Sequence, residues 1–313
     1  HPGLKALIAS AGLAGSKLDA YHVGFALAPR LNAAGRMGHA RLAVELLSRA
    51  EGPRCTEIAD YLESQNNQRR QATRSIAAEA AEMVERGLTA APADRSIVLA
   101  SQRWHAGVIG IVASRLVEQF HRPVVMIAVD GEEAAGSARS IPGFHMRDAL
   151  AAAREHLTSF GGHAMAGGMR LPADRIEDFA AAFAAHAAEH LDEQDLVPVL
   201  DVDAETGVDE LVVPVVEQLE RLAPFGRSNP APMVALRRLR ALSGPRRMGR
   251  GGTHMSLLAA DEAGRRIRCV GFGMGELVDR LATADHLDVV GRPVLNRFRG
   301  RTSVELHIED LAW

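Results

Sequence analysis

Cysteine is scarce in this chain of 313 residues, and the two that occur, Cys55 and Cys269, lie far apart. Disulfide frameworks and structural zinc sites need several cysteines at short spacings, so the sequence excludes both. No apolar run is long enough to span a membrane, and no signal peptide is recognisable. The combination predicts a cytoplasmic protein without a membrane partner.

Lysine is almost absent, since only Lys5 and Lys17 occur among 36 lysines and arginines, and the formal net charge is −3. A chain of this charge has no global positive field to attract nucleic acid, so any such binding must use local patches. Hydrophobic residues make up 47% of the chain. The length therefore allows two or three domains with buried cores.

Several catalytic signatures are missing as well. The sequence holds no His-Glu-x-x-His zinc motif, no Asp-His-His triplet, no Walker loop and no Gly-x-Ser-x-Gly nucleophile elbow. The nearest acidic candidate, Asp201-Val202-Asp203, lies in a predicted alternating strand without a histidine nearby. We therefore expect no metal ligands in this chain.

Hydrophobic periodicity predicts a helical first part and an α/β middle part. Residues 4–50 form short helices joined by glycine turns, and residues 54–86 form one long helix that Gly87 would end. The middle of that helix is polar on every side, which is typical of a connector between domains. From residue 96 to residue 129, a strand–helix–strand pattern favours parallel pairing. Further helices are predicted at 146–157 and 174–191.

From residue 196 the pattern changes to short alternating strands. Val197, Val199 and Val202 indicate a first strand, and a helix follows at 208–222. Later strands, with one helix at 275–283, are predicted at 233–242, 254–260, 266–272, 287–295 and 303–309. Short strands with one helix fit a small barrel such as the OB-fold, which commonly binds single strands. The predicted fold class is therefore α/β plus a β-barrel.

The segment most suggestive of function is Phe-Gly-Gly-His-Ala-Met-Ala-Gly-Gly at residues 160–168. Its four glycines leave bare backbone that a ligand can approach closely. Backbone N–H groups and the imidazole of His163 together suit a phosphate. The competing interpretation is a glycine-rich turn with an incidental histidine.

Two further motifs place polar side chains where ligands gather in α/β folds. Ser137 and Arg139, two residues apart on a predicted strand, face the same way and together suit a phosphate. His105 lies where the first strand feeds its helix, within Trp-His-Ala-Gly-Val-Ile-Gly at 104–110. The alternatives are a surface arginine beside a serine turn, and a tight turn in which His105 is a bystander.

Arginines form two more clusters. A predicted loop of small residues, 28–38, holds Arg30, Asn32 and Arg36. The predicted barrel has a basic stretch without an acid between residues 236 and 252, and at 297–299 an aromatic ring is interleaved with arginines. Phosphate neutralisation combined with a stacking ring is how single strands are held. For both clusters, the alternative is a set of solvated arginines.

Taken in chain order, these segments resemble the RecJ family, single-stranded-DNA-specific exonucleases of the DHH phosphoesterase superfamily. The resemblance is carried by Ala-Pro-Arg-Leu-Asn-Ala-Ala-Gly-Arg-Met (28–37), the segment 104–116, Gly-Ser-Ala-Arg-Ser (136–140) and Gly-Gly-His-Ala-Met-Ala-Gly-Gly (161–168). Leu-Ala-Pro-Phe-Gly at 222–226, with Asn229-Pro230 after it, is similar to the start of that family's OB domain. The resemblance implies four regions: the end of the DHH domain (1–52), a connector helix (53–89), the DHH-associated domain (90–192) and the OB domain (193–313).

The resemblance also implies a chemistry. In such enzymes, manganese or magnesium ions held by aspartates and histidines of the DHH domain activate water to attack a phosphodiester. His163 is then the catalytic candidate, contacting phosphate near the scissile bond, while Ser137 and Arg139 help to hold the 5′ end. In the family pattern the metal-holding motifs precede residue 1. We therefore expect this stretch to bind single-stranded DNA, preferably at a 5′ end, without cutting it.

The implied contacts fall into two sets, and no protein partner is identified. The substrate-binding candidates are Arg30, Asn32, Arg36, His105, Ser137, Arg139, Ser140, Gly161, Gly162, Gly167 and Gly168. The nucleic-acid-binding candidates of the OB domain are Arg237, Arg238, Arg246, Arg247, Arg250, Arg297, Phe298 and Arg299.

Two other functions stay open. One is a DHH phosphodiesterase acting on short oligonucleotides, but such enzymes typically end after the glycine–histidine domain, so the additional barrel favours polymers. The other is a non-catalytic scaffold of the replication machinery. The intact Gly-Ser-Ala-Arg-Ser and Gly-Gly-His-Ala segments favour an enzyme ancestry, because a scaffold need not keep a phosphate cradle.

Overall fold

Helices form the first part of the chain, a mixed sheet follows, and a β-barrel comes last, which confirms the predicted fold class. The computed structural model describes residues 1–90, 94–226 and 228–313, and the chain divides into two compact units, 1–198 and 199–313.

The helices are α1 (Pro2–Ser10), α2 (Ala20–His22), α3 (Ala28–Met37), α4 (Ala40–Ser48), α5 (Pro53–Ala90), α6 (Ala106–Phe120), α7 (Met146–Ala152), α8 (Ile176–His190), α9 (Val213–Glu220) and α10 (Val278–Leu281). The strands are β1 (Ile97–Ser101), β2 (Val124–Asp130), β3 (Glu133–Arg139), β4 (Ser159–His163), β5 (Ala166–Pro172), β6 (Ala204–Glu205), β7 (Val234–Met248), β8 (His254–Ala260), β9 (Arg266–Gly271), β10 (Leu287–Phe298) and β11 (Arg301–Ala312). Among the described residues, no helix has the length and hydropathy that a membrane crossing requires.

Segment 28–37 forms helix α3, so the prediction of a loop there was wrong. Alanine has the highest helix propensity, and Pro29 is tolerated because it lies in the first turn. Ala33 and Ala34 are fully buried, and their small side chains allow α3 to pack closely on α5. The polar residues of this segment are therefore helical side chains held in fixed positions.

Helix α5 continues past Gly87 to Ala90, so the predicted stop was also wrong. An internal glycine costs about 1 kcal/mol relative to alanine, and this does not by itself end a helix. The polar middle of α5 is partly buried, since Asn66 is 2% exposed and Gln65 is 9% exposed. Further along, Ile76 joins the apolar core that α5 shares with α6.

The five-stranded sheet has the order β1-β2-β3-β5-β4. β1 and β2 are parallel and are joined through α6, as the strand–helix–strand pattern predicted, whereas the other neighbouring strands are antiparallel. Helices α7 and α8 cover one face, with Phe179 and Phe183 fully buried. On the other face, α5 and α6 cover β1 and β2 through residues such as Val112 and Met126. The hairpin of β4 and β5 keeps an exposed surface there.

Five strands of the second unit close into a barrel in the order β7-β8-β9-β11-β10, and β10 pairs back onto β7. β9 and β11 are parallel, and the other pairs are antiparallel. Leu236, Leu257 and Leu306 fill the interior together with other apolar side chains. The predicted OB-like barrel is confirmed.

Two predictions at the start of this unit were wrong. The alternating valines of 197–202 form no strand, and Val199 is 85% exposed, because no strand among the described residues pairs with this segment. The helix predicted at 208–222 is the shorter α9. The residues before it form a turn in which Thr206 Oγ1 donates a hydrogen bond to Glu210 at 2.6 Å.

Two adjacent glycines of β4 allow a matched test of this fold. A Cβ at Gly162, where φ is 155°, would lie 2.4 Å from the carbonyl oxygen of Ala166, whereas a Cβ at Gly161 would meet no atom within 4 Å. We expect Gly162→Ala to lower the free energy of unfolding by about 1–3 kcal/mol because of overpacking. Gly161→Ala should change it by less than about 0.5 kcal/mol. Urea denaturation followed by circular dichroism measures both values, and equal destabilisation would contradict the hairpin geometry.

Candidate phosphate-binding site

Helix α6 begins just after β1, and two glycines in its first turns permit close packing. His105 is exposed and caps the helix, because its Nδ1 accepts a hydrogen bond from Gly107 N at 3.0 Å. A Cβ at Gly107 would lie 2.2 Å from the carbonyl oxygen of Arg36, and a Cβ at Gly110 would lie 2.8 Å from Ser137 Oγ. Residues three apart lie on one helix face. α3 and β3 therefore approach α6 on that face.

The Ser137–Arg139 pair predicted from the sequence is present on β3. Arg139 Nη1 donates to Ser137 Oγ at 3.1 Å and to the carbonyl oxygen of Ala138 at 2.7 Å. Within the described residues, Arg139 has no carboxylate partner. Burial, and secondly the charge of Arg36, lowers the pKa of Arg139. An anion at this position would compensate a cation that is now partly desolvated and repelled.

The glycine segment forms the hairpin β4–β5, and the strand register decides which of its residues reach the open face. Ser137 lies opposite Gly168, which lies opposite Gly161, and the next row is Arg139, Ala166 and His163. Directly opposed residues point to the same side of a sheet. Gly161 and Gly168 therefore form a surface without side chains. It is bordered by the Ser137 hydroxyl, the Arg139 guanidinium and the His163 imidazole.

His163 is exposed at the end of β4, and its imidazole has no hydrogen bond or ion pair within the residues that the structure describes. Its position across β5 from Arg139 is the one that the phosphate hypothesis requires. The hypothesis would have failed had this imidazole been sealed within apolar packing. Its role in catalysis stays a prediction.

Three residues of the predicted set face away from this surface. Ser140 is 4% exposed, and its hydroxyl donates to the carbonyl oxygen of Phe144 at 2.6 Å, so it is satisfied inside the fold. Gly162 and Gly167 oppose each other on the other side of the hairpin, where a Cβ at Gly167 would lie 2.6 Å from Leu150 Cδ1. Their lack of side chains serves packing, because strand residues alternate between faces. None of these three residues presents a side chain to the open face, and their contact with substrate stays a prediction.

The residues of α3 divide in the same way. Arg30 forms an ion pair with Glu63 and donates to the carbonyl oxygen of Ala26 at 2.6 Å, and its side chain is only 12% exposed. Its guanidinium is therefore engaged within the fold, and its contact with substrate stays a prediction. Asn32 is exposed one turn before Arg36. Arg36 donates to the carbonyl oxygen of Gly107 at 3.1 Å, which brings it to the site.

Arg69 of α5 belongs to the same neighbourhood and escaped the sequence analysis. After burial, the charge of Arg36 is the largest influence that lowers the pKa of Arg69. In the sequence, Arg69 is marked only by its position in the polar middle of a predicted helix. That position does not indicate where its side chain lies.

Potential metal donors are not grouped among the described residues. Across residues 1–90, 94–226 and 228–313, no group of three or more His, Cys, Asp or Glu side chains is placed to hold a metal ion. A resident divalent cation therefore does not fit the described residues.

Carboxylates neutralise several arginines that were predicted to bind nucleic acid on the barrel. The ion pairs are Arg237 with Glu205 and Asp288, Arg238 with Glu262, Arg247 with Asp279, and Arg297 with Glu220. The remaining arginines of that set, which have no ion pair among the described residues, are Arg246, Arg250 and Arg299. The guanidinium of Arg299 lies 5.1 Å from the ring centroid of Phe298, which is 64% exposed at the β10–β11 tip.

The barrel also exposes an aromatic ring that the sequence analysis missed. Phe272 follows β9 and is 56% exposed. Its ring centroid lies 5.4 Å from that of His254 and 5.1 Å from that of His307. A single phenylalanine after a strand carries no distinguishing sequence signal, because only the barrel closure brings the two histidines beside it.

Comparisons with known proteins agree with this architecture. The DHHA1 domain family matches residues 94–189, and the RecJ OB domain family matches residues 202–310. The single-stranded-DNA-specific exonuclease RecJ of Bacillus subtilis is 37% identical over 313 residues, which cover 99% of this chain and 39% of that protein. The crystal structure of Thermus thermophilus RecJ with Mg²⁺ is similar with a TM-score of 0.80 at 29% identity, over 99% of this chain and 46% of that one. The same protein with Mn²⁺ has a TM-score of 0.80 at 29% identity, over 100% and 44%.

The chain spans between 39% and 54% of the length of the curated relatives that it matches. The motifs that resemble the RecJ family occur along this chain in the order in which the DHHA1 and RecJ OB domains follow each other. Identity to those relatives is 31–37% over at least 92% of this chain. With a DHHA1 domain followed by a RecJ OB domain, the chain is homologous to the corresponding part of the RecJ exonucleases.

Proposed function

We propose that this chain is part of a metal-dependent, single-stranded-DNA-specific 5′→3′ exonuclease and that its own residues hold the strand by its 5′-terminal phosphate. The observation that carries the proposal is the half-buried Arg139, which has no carboxylate among the described residues. Both of its hydrogen bonds use Nη1, so the Nη2 donors remain for an anion. A cytoplasmic location, as predicted from the cysteine pattern, would suit this function.

The geometry favours a terminal phosphate over an internal one. A phosphate monoester carries about −1.5 to −2 charges at neutral pH, and each internal phosphate of a strand carries about −1. Two guanidinium groups, from Arg139 and Arg36, therefore stabilise the terminal group more strongly. The Ser137 hydroxyl accepts from Arg139 and can donate its own proton to the same anion.

The open glycine face gives the bound end space. Gly161 and Gly168 allow the sugar–phosphate backbone to lie against the sheet, because no side chain projects between Ser137 and the edge strand. In this pose His163 borders the phosphate, and its imidazole can donate a hydrogen bond to a phosphate oxygen.

The chemical step itself is not assigned to the described residues. A divalent ion such as Mg²⁺ or Mn²⁺ supplies a water molecule of lowered pKa and stabilises the developing charge of the phosphoryl group. The RecJ structures from Thermus are complexes with these ions. The residues described in this chain do not form a set that fits such an ion, and their part is to bind and orient the strand.

Two other functions would place different requirements on the chain. A phosphodiesterase for short oligonucleotides would not need the barrel, whose match to the RecJ OB domain favours a polymer. A non-catalytic scaffold would not need an uncompensated Arg139 beside a bare glycine surface, since that arrangement costs stability unless an anion binds.

We expect Arg139 to determine the preference for a 5′ phosphate. Arg139→Gln should abolish the preference for a 5′-phosphorylated single strand over the same strand with a 5′ hydroxyl, because the fork that holds the terminal oxygens is lost. Fluorescence anisotropy with labelled oligonucleotides measures this preference. Arg147→Gln, an exposed change on α7 at the opposite face of the sheet, is the control and should leave it intact. Survival of the preference in the Arg139 variant would remove this residue from the site.

On the barrel, we expect Arg299 to contact a phosphate of the strand. Arg299→Gln should reduce the slope of log affinity against log salt by about one, because one phosphate contact is lost. Arg247→Gln should leave the slope unchanged, because Asp279 already neutralises Arg247. The same anisotropy titration at several salt concentrations measures both slopes. Identical slopes in the wild type and the Arg299 variant would exclude this part of the barrel from binding.

We expect no hydrolysis of the strand by this chain. The 313-residue chain, incubated with Mn²⁺ and a 5′-phosphorylated single strand, should bind the strand and release no mononucleotides. The reason is that the described residues lack a set of metal donors. Anion-exchange chromatography of the products gives the answer, with a protein-free incubation as the control. Release above that control would show that the chain carries its own metal ligands.

A further inference from the structure

Arg69 occupies an unusual position for a charged residue. Its Nη2 donates to Asn66 Oδ1 at 2.9 Å, and Asn66 is 2% exposed. The Nε–H of Arg69 is buried and has no acceptor within the described residues. A buried donor without a partner costs roughly 1–3 kcal/mol. The fold therefore holds a guanidinium group whose hydrogen bonds are incomplete.

The charged groups that shift the pKa of Arg69 are all of its own sign. Burial, followed by Arg36, Arg70 and Arg115, lowers its pKa. None of these four arginines forms an ion pair among the residues that the structure describes. Like charges held together without counter-charges destabilise the fold, so this cluster is incomplete without an anion.

The packing of α3 explains how the cluster is connected to the Ser137–Arg139 pair. A Cβ at Gly38 would lie 2.2 Å from Tyr61 Oη and 3.1 Å from Gln65 Oε1, so the end of α3 lies directly against α5, one turn before Arg69. The carbonyl oxygen of Arg36 would lie 2.2 Å from a Cβ at Gly107 in α6. Arg36 is therefore held between α5 and α6, and its charge acts on both Arg69 and Arg139.

We propose that Arg69, with Arg36 beside it, binds the second phosphate of the strand, which joins the first nucleotide to the second. This inference rests on the proposed function, because it assumes that the terminal phosphate lies at Ser137 and Arg139. Two separate anions at neighbouring sites would repel each other. Consecutive phosphates of one strand are joined covalently, so a strand can occupy both sites at once.

The test compares ligands that differ by one phosphate at a known place. Thymidine, 5′-phosphothymidine (pdT), the dinucleotide dTpdT and its 5′-phosphorylated form pdTpdT are titrated by isothermal calorimetry into the full 313-residue chain. Arg69→Gln should remove the gain of pdTpdT over pdT, which is about tenfold or more for a charged hydrogen-bonded contact. The affinity for pdT itself should be unchanged. Arg69→Lys, which keeps the charge but loses the fork, should keep part of the gain.

Controls separate this role from a structural one. Arg86→Gln lies on the same helix about 25 Å away and is exposed, so it should leave all four affinities unchanged. A merely structural Arg69 would weaken pdT and pdTpdT equally in the glutamine variant and would show a lowered melting temperature that the lysine variant does not restore. That result, or an unchanged gain in Arg69→Gln, would overturn the inference.

Failure of the proposed function has a different signature. In that case the wild type would not prefer pdT over thymidine, and Arg139→Gln would have no effect on pdT. The comparison of dTpdT with thymidine still tests Arg69 by itself, because dTpdT carries only the internal phosphate. Loss of that gain in Arg69→Gln would support the second-phosphate site, and its persistence would reject it.

Discussion

Helix α6 packs closely against α3 and β3, and this packing positions the cations of the candidate site. It depends on Gly107 and Gly110, which have no side chains. Carbon atoms added at Gly107 and Gly110 would collide with the backbone of Arg36 and with the Ser137 hydroxyl. Overpacking of this kind costs about 1–3 kcal/mol and displaces the elements that carry the charges. The glycine spacing in α6 is thus first a packing requirement. Its consequence is that the guanidinium groups of Arg36 and Arg139, from two different elements, both lie against the first turns of α6.

The two units use arginine in different ways. In the first unit, Arg69 and Arg139 are partly desolvated without carboxylates, an arrangement that lowers stability until an anion binds. In the barrel, Arg237 and Arg247 lie against acidic side chains and are largely neutralised. The arginines whose pKa is lowered by burial, Arg69 and Arg139, therefore both belong to the first unit. Buried charged groups that lack the usual ion-pair partners are characteristic of a functional site.

The hairpin β4–β5 shows how a uniform sequence acquires two roles. Four glycines look equivalent in the sequence, but strand alternation sends Gly161 and Gly168 to the open face and Gly162 and Gly167 toward α7. One pair leaves space for a ligand, and the other leaves space for the core. Alternation could be foreseen, whereas the covering of one face by α7 and α8 and the exposure of the other could not.

The strand–helix–strand unit, the five barrel strands and the common orientation of Ser137 and Arg139 could be predicted from the sequence, because they depend on residues close together in the chain. Only the tertiary structure decided that Arg30 is occupied by Glu63, that Ser140 is buried, and that Arg69 joins the cluster around Arg36. In each of these cases the partner lies on another element. Charge pairing and burial are set by distances in space, and a linear pattern does not contain them.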